Sequence, residues 1–62
     1  MESFVIFFEN GNNVTINADF LKESDNYINF YVRTTADSKD ILVAQFAKSK
    51  VAGYSIYKIA EV

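Results

Sequence analysis

Hydrophobic positions along the chain come in short runs with the two-residue period of β-strands. Phe4-Val5-Ile6-Phe7-Phe8 and Tyr27-Ile28-Asn29-Phe30-Tyr31-Val32 are the clearest, rich in aromatic and β-branched side chains. The pattern predicts an all-β domain. Five antiparallel strands in meander order would form a bent sheet or a small barrel, with a single helical turn near Phe20 as the one helical feature.

The first predicted hairpin joins Phe4–Glu9 to Val14–Ala18 through Asn10-Gly11-Asn12-Asn13, where Asn-Gly favours positive φ. A three-residue loop, Asn10–Asn12, sets Phe8, Ile6 and Phe4 opposite Val14, Ile16 and Ala18 and gathers one apolar face. A two-residue loop would set them opposite Asn13, Thr15 and Asn17 instead. With the three-residue loop, Val5 and Phe7 face away from the core. The first strand is then apolar on both faces, which suits a central, curled or interface strand.

Asp19–Asn26 interrupts the alternation. Asp19–Glu23 reads as a helical turn or as a strand ending in a polar loop, and Ser24-Asp25-Asn26 as a turn. The third predicted strand, Tyr27–Thr34, turns Ile28, Phe30 and Val32 inward and Tyr27, Asn29, Tyr31 and Arg33 outward. A polar turn, Thr35–Asp40, leads to the fourth, Ile41–Ala47. It carries Leu42, Ala44 and Phe46 on one face and Ile41, Val43 and Gln45 on the other. A helix over Ser38–Ala47 is the rival reading, because Ala, Leu, Gln and Lys tolerate it. Lys48-Ser49-Lys50 turns into the last strand, Val51–Ile59, where Gly53 suggests a bulge that bends the strand.

Composition narrows the function. With 62 residues the chain makes one domain near the lower size limit for independent folding. It has no Cys, so no disulfide framework, and neither His nor Cys to hold zinc. The core must supply stability alone or with a partner subunit, so a homo-oligomer is expected. Without His and Cys the usual general base and thiol nucleophile are missing, and no enzyme activity, cofactor or metal is expected. Asp19, Glu23, Asp25, Asp37 and Asp40 fall in predicted turns, where short acidic side chains cap backbone amides. A net charge of −2 lacks the basic excess of a protein that lives on phosphate contacts. Met1-Glu2-Ser3 has no basic region and the apolar run after it stops at Glu9. No leader and no membrane association are expected, and the protein reads as cytoplasmic.

The candidate chemistry lies on the outward face of the third strand. Tyr27, Asn29, Tyr31 and Arg33 recur at period two, and Tyr57 on the last strand is expected beside them. Tyrosine and arginine are frequent interface anchors. Aromatic rings beside an amide also stack on and read unpaired bases. The same residues serve equally as ordinary cross-strand cover for a small sheet.

Asp25-Asn26-Tyr27-Ile28-Asn29, following a strand pair that opens with Asn10-Gly11, resembles the first motif of the Sm-like family, whose fold is a strongly bent five-stranded barrel. The resemblance implies that Tyr27 stacks a base and Asn29 hydrogen-bonds its edge. Where that family has an Arg-Gly pair this chain has Ala47-Lys48-Ser49-Lys50, so Lys48 or Lys50 would supply the positive charge. The paired runs Val43-Ala44-Gln45-Phe46 and Val51-Ala52-Gly53-Tyr54 are similar to those ending small β-proteins of phages and prophages. That likeness implies binding and blocking of a host factor, such as a defence enzyme or its nucleotide signal. The expected function is a phage- or prophage-related, non-enzymatic binding protein that masks a host protein through Tyr27, Tyr31 and Arg33, with Tyr57. The alternative is an oligomeric Sm-like binder of single-stranded nucleic acid or nucleotide, using Tyr27 and Asn29 with Lys48 or Lys50.

Overall fold

The computed structural model describes residues 1–35 and 39–58. Six strands are present: β1 (Glu2–Phe8), β2 (Asn13–Ala18), β3 (Phe20–Glu23), β4 (Tyr27–Arg33), β5 (Asp40–Ala47) and β6 (Val51–Lys58). A 3-10 turn, Lys48–Lys50, joins the last two. The strands form two antiparallel three-stranded sheets, ordered β2-β1-β6 and β3-β4-β5. The domain is therefore all-β, as its alternation predicts, built of two bent sheets that do not close into a barrel.

Of the two readings of Asp19–Glu23 the strand is the one formed: Phe20–Glu23 pairs with β4, and the helical turn near Phe20 is absent. Phe20 and Leu21 each have a cross-strand partner, Tyr31 and Phe30, and packing there overrides any local helical tendency. Asp19 is the corner between β2 and β3. Its backbone N–H donates to the Tyr31 carbonyl at 2.8 Å. Its carboxylate Oδ2 accepts from the Arg33 backbone N–H at 2.7 Å, continuing the ladder through a side chain. Asp19 thus holds a strand corner and does not belong to a solvated turn.

The first hairpin keeps the expected three-residue loop and apolar face, but the loop is Glu9–Gly11, one residue earlier. Phe8 N–H donates to the Asn12 carbonyl at 2.8 Å and Gly11 N–H to the Phe8 carbonyl at 3.0 Å. Gly11 takes φ +90°, a conformation that costs side-chain-bearing residues energy. The turn Phe8–Gly11 is thus closed by a left-handed residue, and Asn12 N–H donates to Asn10 Oδ1 at 3.0 Å. Phe4 therefore lies opposite Ile16, and Ile6 opposite Val14.

β6 does not pair with β5 as a meander requires; it crosses to β1. A first strand apolar on both faces is stabilised by neighbours on both sides, and β1 is the centre of its sheet. Two bulges bend the structure. One lies between β1 and β6, where Phe7 opposes Gly53 and Phe8 opposes Val51, leaving Ala52 as the extra residue beside Gly53. The other lies in β5, where Phe30 opposes Ala44 but Tyr31 opposes Leu42, leaving Val43 unpaired in register. This second bulge moves Leu42 to the outer face with Tyr31 and Ile41 to the inner face with Val32, reversing the expected assignment of both. Ala44 and Phe46 keep the core face. Asp37 and Ile59 lie outside the described residues.

Phe4, Ile6, Ala18, Ile28 and Phe30 are buried, ringed by Phe8, Ile16, Leu21, Ala44, Phe46 and Val51. Phe4 and Phe30 meet edge to face across the sheets at 5.0 Å, and Phe46 joins them to Phe8 at 5.8 and 5.6 Å. The shortest extent of the Cα trace is 12 Å, close to the roughly 10 Å that separates two packed sheets. One layer of side chains fills that space. At the far end the 3-10 turn ties the sheets together. Lys48 N–H donates to the Asn26 carbonyl at 2.9 Å, and the Lys50 carbonyl accepts from Glu9 N–H at 3.0 Å.

Candidate binding face

Tyr27, Asn29, Tyr31 and Arg33 share the outer face of β4 because each lies at an odd position of a regular strand. Register extends that face across the sheet. Phe20 and Lys22 of β3 flank Tyr31 and Asn29. Ala47, Gln45, Leu42 and Asp40 of β5 flank Tyr27, Asn29, Tyr31 and Arg33 in turn.

At the Tyr31 end, Phe20 and Tyr31 stack with centroids 5.2 Å apart and planes inclined by 17°. The Arg33 guanidinium lies 4.8 Å from the centre of the Phe20 ring. Lys22 Nζ is 5.7 Å from that centre and 6.0 Å from that of Tyr31. A cation over an exposed ring gains about 0.5–1 kcal/mol, which holds the long Arg33 side chain against the sheet. Phe20 and Lys22 are the members that sequence reading missed, because a segment readable as a helical turn or a short strand gives no face to assign them to. In the middle of the face, Gln45 Nε2 donates to Asn29 Oδ1 at 2.8 Å, so Asn29 is anchored by a neighbouring strand.

At the other end, Tyr27 is 44% exposed. It lines a shallow cleft of about 340 Å³ with Asp25, Asn26, Ala47, Lys48 and Ser49. Ser24 fixes the approach: its hydroxyl accepts from Tyr27 N–H at 3.2 Å and its backbone N–H donates to the Tyr27 carbonyl at 2.9 Å. Lys50 does not share this cleft. It lines a second one of about 410 Å³ with Phe8, Glu9 and Asn10. Tyr57 is not a sheet neighbour of β4, since it sits opposite Ser3 in the other sheet. The expected grouping therefore resolves into a face carrying Tyr27, Asn29, Tyr31 and Arg33, a cleft lined by both Tyr27 and Lys48, and two positions, Lys50 and Tyr57, elsewhere.

Leu42, 49% exposed, is the apolar residue of this face that alternation assigned to the core. The β5 bulge brings it out, and nothing in a period-two pattern announces a bulge without a glycine. Among the described residues no helix is long and apolar enough to cross a membrane. Searches against protein-family models, curated proteins and solved structures found no match.

Proposed function

We propose that this is a non-enzymatic binding protein that covers a surface of another protein with the outer face of its second sheet. The observation that carries the reading is the continuity of that face. Tyr27 is exposed at one end, and at the other a Phe20–Tyr31 stack, with Arg33 laid over it and exposed Leu42 beside it, is held between strands. Pre-ordered aromatic and arginine side chains lose little entropy on docking, which is why such residues dominate interface energetics. On the resemblance of Val43–Phe46 and Val51–Tyr54 to runs in small phage and prophage β-proteins, the proposed class of target is a host factor, a defence component among them.

The test is a photo-cross-linking amino acid placed at Leu42 in cells, with Thr15 on the first sheet as control. One discrete adduct with another protein at Leu42, lost on Tyr27→Ala or Arg33→Glu and absent at Thr15, supports the reading. No heteromeric adduct, or the same adduct from both positions, overturns it.

A second reading rests on the cleft lined by both Tyr27 and Lys48. An exposed ring beside a cation suits the base and phosphate of a nucleotide or single strand. It predicts salt-sensitive binding of a labelled single-stranded oligonucleotide that Tyr27→Ala and Lys48→Glu each weaken at least tenfold. Equal binding by the parent and both variants would contradict it.

A further inference from the structure

Of the nine large apolar side chains exposed among the described residues, Ile41, Leu42 and Val43 are consecutive, at 51%, 49% and 47%. They sit on β5, which pairs with β4 on one side and, among the described residues, has no strand on the other. Register puts Ile41 on the inner face with Val32 and Leu42 on the outer with Tyr31, so a partner docked on either face would leave part of the run in water. Only a strand laid along the open edge covers the flanks of all three while pairing the backbone.

We propose that this strand is β5 of a second copy, joined about a two-fold axis. An antiparallel strand pairs with itself isologously, the commonest oligomer symmetry. Face parity together with full overlap of the eight residues of β5 sets the register. Ile41 and Phe46 belong to the inner face, and Leu42 and Gln45 to the outer. A two-fold axis perpendicular to the sheet keeps inner with inner and outer with outer, and paired residues share a face. Ile41 then opposes the second copy's Phe46, Leu42 its Gln45, and Asp40 its Ala47. Exposed Ile41 gains a half-buried aromatic ring, and the core aromatic row continues from one copy into the next.

Charge selects this pairing over the other open apolar edge, β6, which carries exposed Tyr54 and Ile56. Laying β5 along β6 of a second copy would bring the two Lys48–Lys50 turns together, with no acid from either strand between them. In the isologous register each such turn meets instead the Lys39–Asp40 end, where the acid offsets the one lysine and no second lysine turn lies opposite. The result is a six-stranded sheet whose outer face presents Tyr27, Tyr31 and Arg33 from both copies. In that sheet Arg33 of one copy lies in the same row as Tyr27 of the other.

The native chain has no cysteine, so engineered ones report cleanly. Leu42→Cys chains are mixed with size-tagged Gln45→Cys chains, using purified protein alone under mild oxidation. The proposal predicts a mixed disulfide dimer as the main product. Size-tagged Ser55→Cys in place of the Gln45 variant tests β6. A mixed disulfide between the Leu42→Cys and Ser55→Cys chains overturns the proposal. So does the absence of mixed product from either pair, with circular dichroism confirming folded variants. Because no target protein is present, the outcome is independent of the cross-linking test of the binding face.

Discussion

Single residues fix this fold where alternation leaves choices open. Gly11 permits the left-handed position that closes the first hairpin, and through it the register of β1 against β2. Gly11→Ala meets no steric neighbour, so its cost is conformational alone, about 1 kcal/mol. For a domain of this size that lowers Tm by roughly 4–8 °C, read by thermal circular dichroism. Phe30 is fully buried and touches both Phe4 and Phe46. Phe30→Ala should cost about 3–5 kcal/mol, a large share of what a small domain has, and urea titration should show a chain largely unfolded at room temperature. Phe30→Leu, by contrast, keeps most of the volume and should remain folded.

At the scale of elements, what could be read in the sequence followed from side-chain period, and what could not followed from backbone irregularity. The strands around Phe4–Phe8 and Tyr27–Val32 were legible because each buries alternate aromatic or aliphatic residues. So were the central place of β1, apolar on both faces, and the outer-face set Tyr27, Asn29, Tyr31 and Arg33. Between a helical turn and a strand at Phe20–Glu23 the sequence could not choose, because four residues are too few for a period and their strand character comes from Tyr31 and Phe30 across the ladder. Leu42 was assigned to the wrong face because the Val43 bulge costs one residue of phase. Tyr57 was grouped with β4 because a meander places the last strand beside its predecessor, whereas β1 attracts it. The β2–β3 corner carries its own prediction. Asp19→Ala removes the acceptor for Arg33 N–H and should cost about 1 kcal/mol. Faster hydrogen exchange at the Arg33 amide, with the amides of β1 unchanged, would check it.

The whole molecule is two thin sheets joined at a corner and at a turn, around one layer of core side chains. That geometry leaves apolar groups on β5 and on the outer face of the second sheet exposed among the described residues. Burying about 25 cal/mol per Å² of such surface is the driving force on which both target capture and self-pairing depend. The two uses are compatible, since edge pairing along β5 widens the outer face and leaves Tyr27, Tyr31 and Arg33 open to a target.

Molar mass in solution by light scattering, over a concentration series, tests this most directly. The account predicts about 14 kDa, twice the 7.1 kDa of one chain, falling to the single-chain value on dilution and for Leu42→Lys at every concentration. A parent protein that stays at 7.1 kDa throughout, indistinguishable from Leu42→Lys, would contradict it.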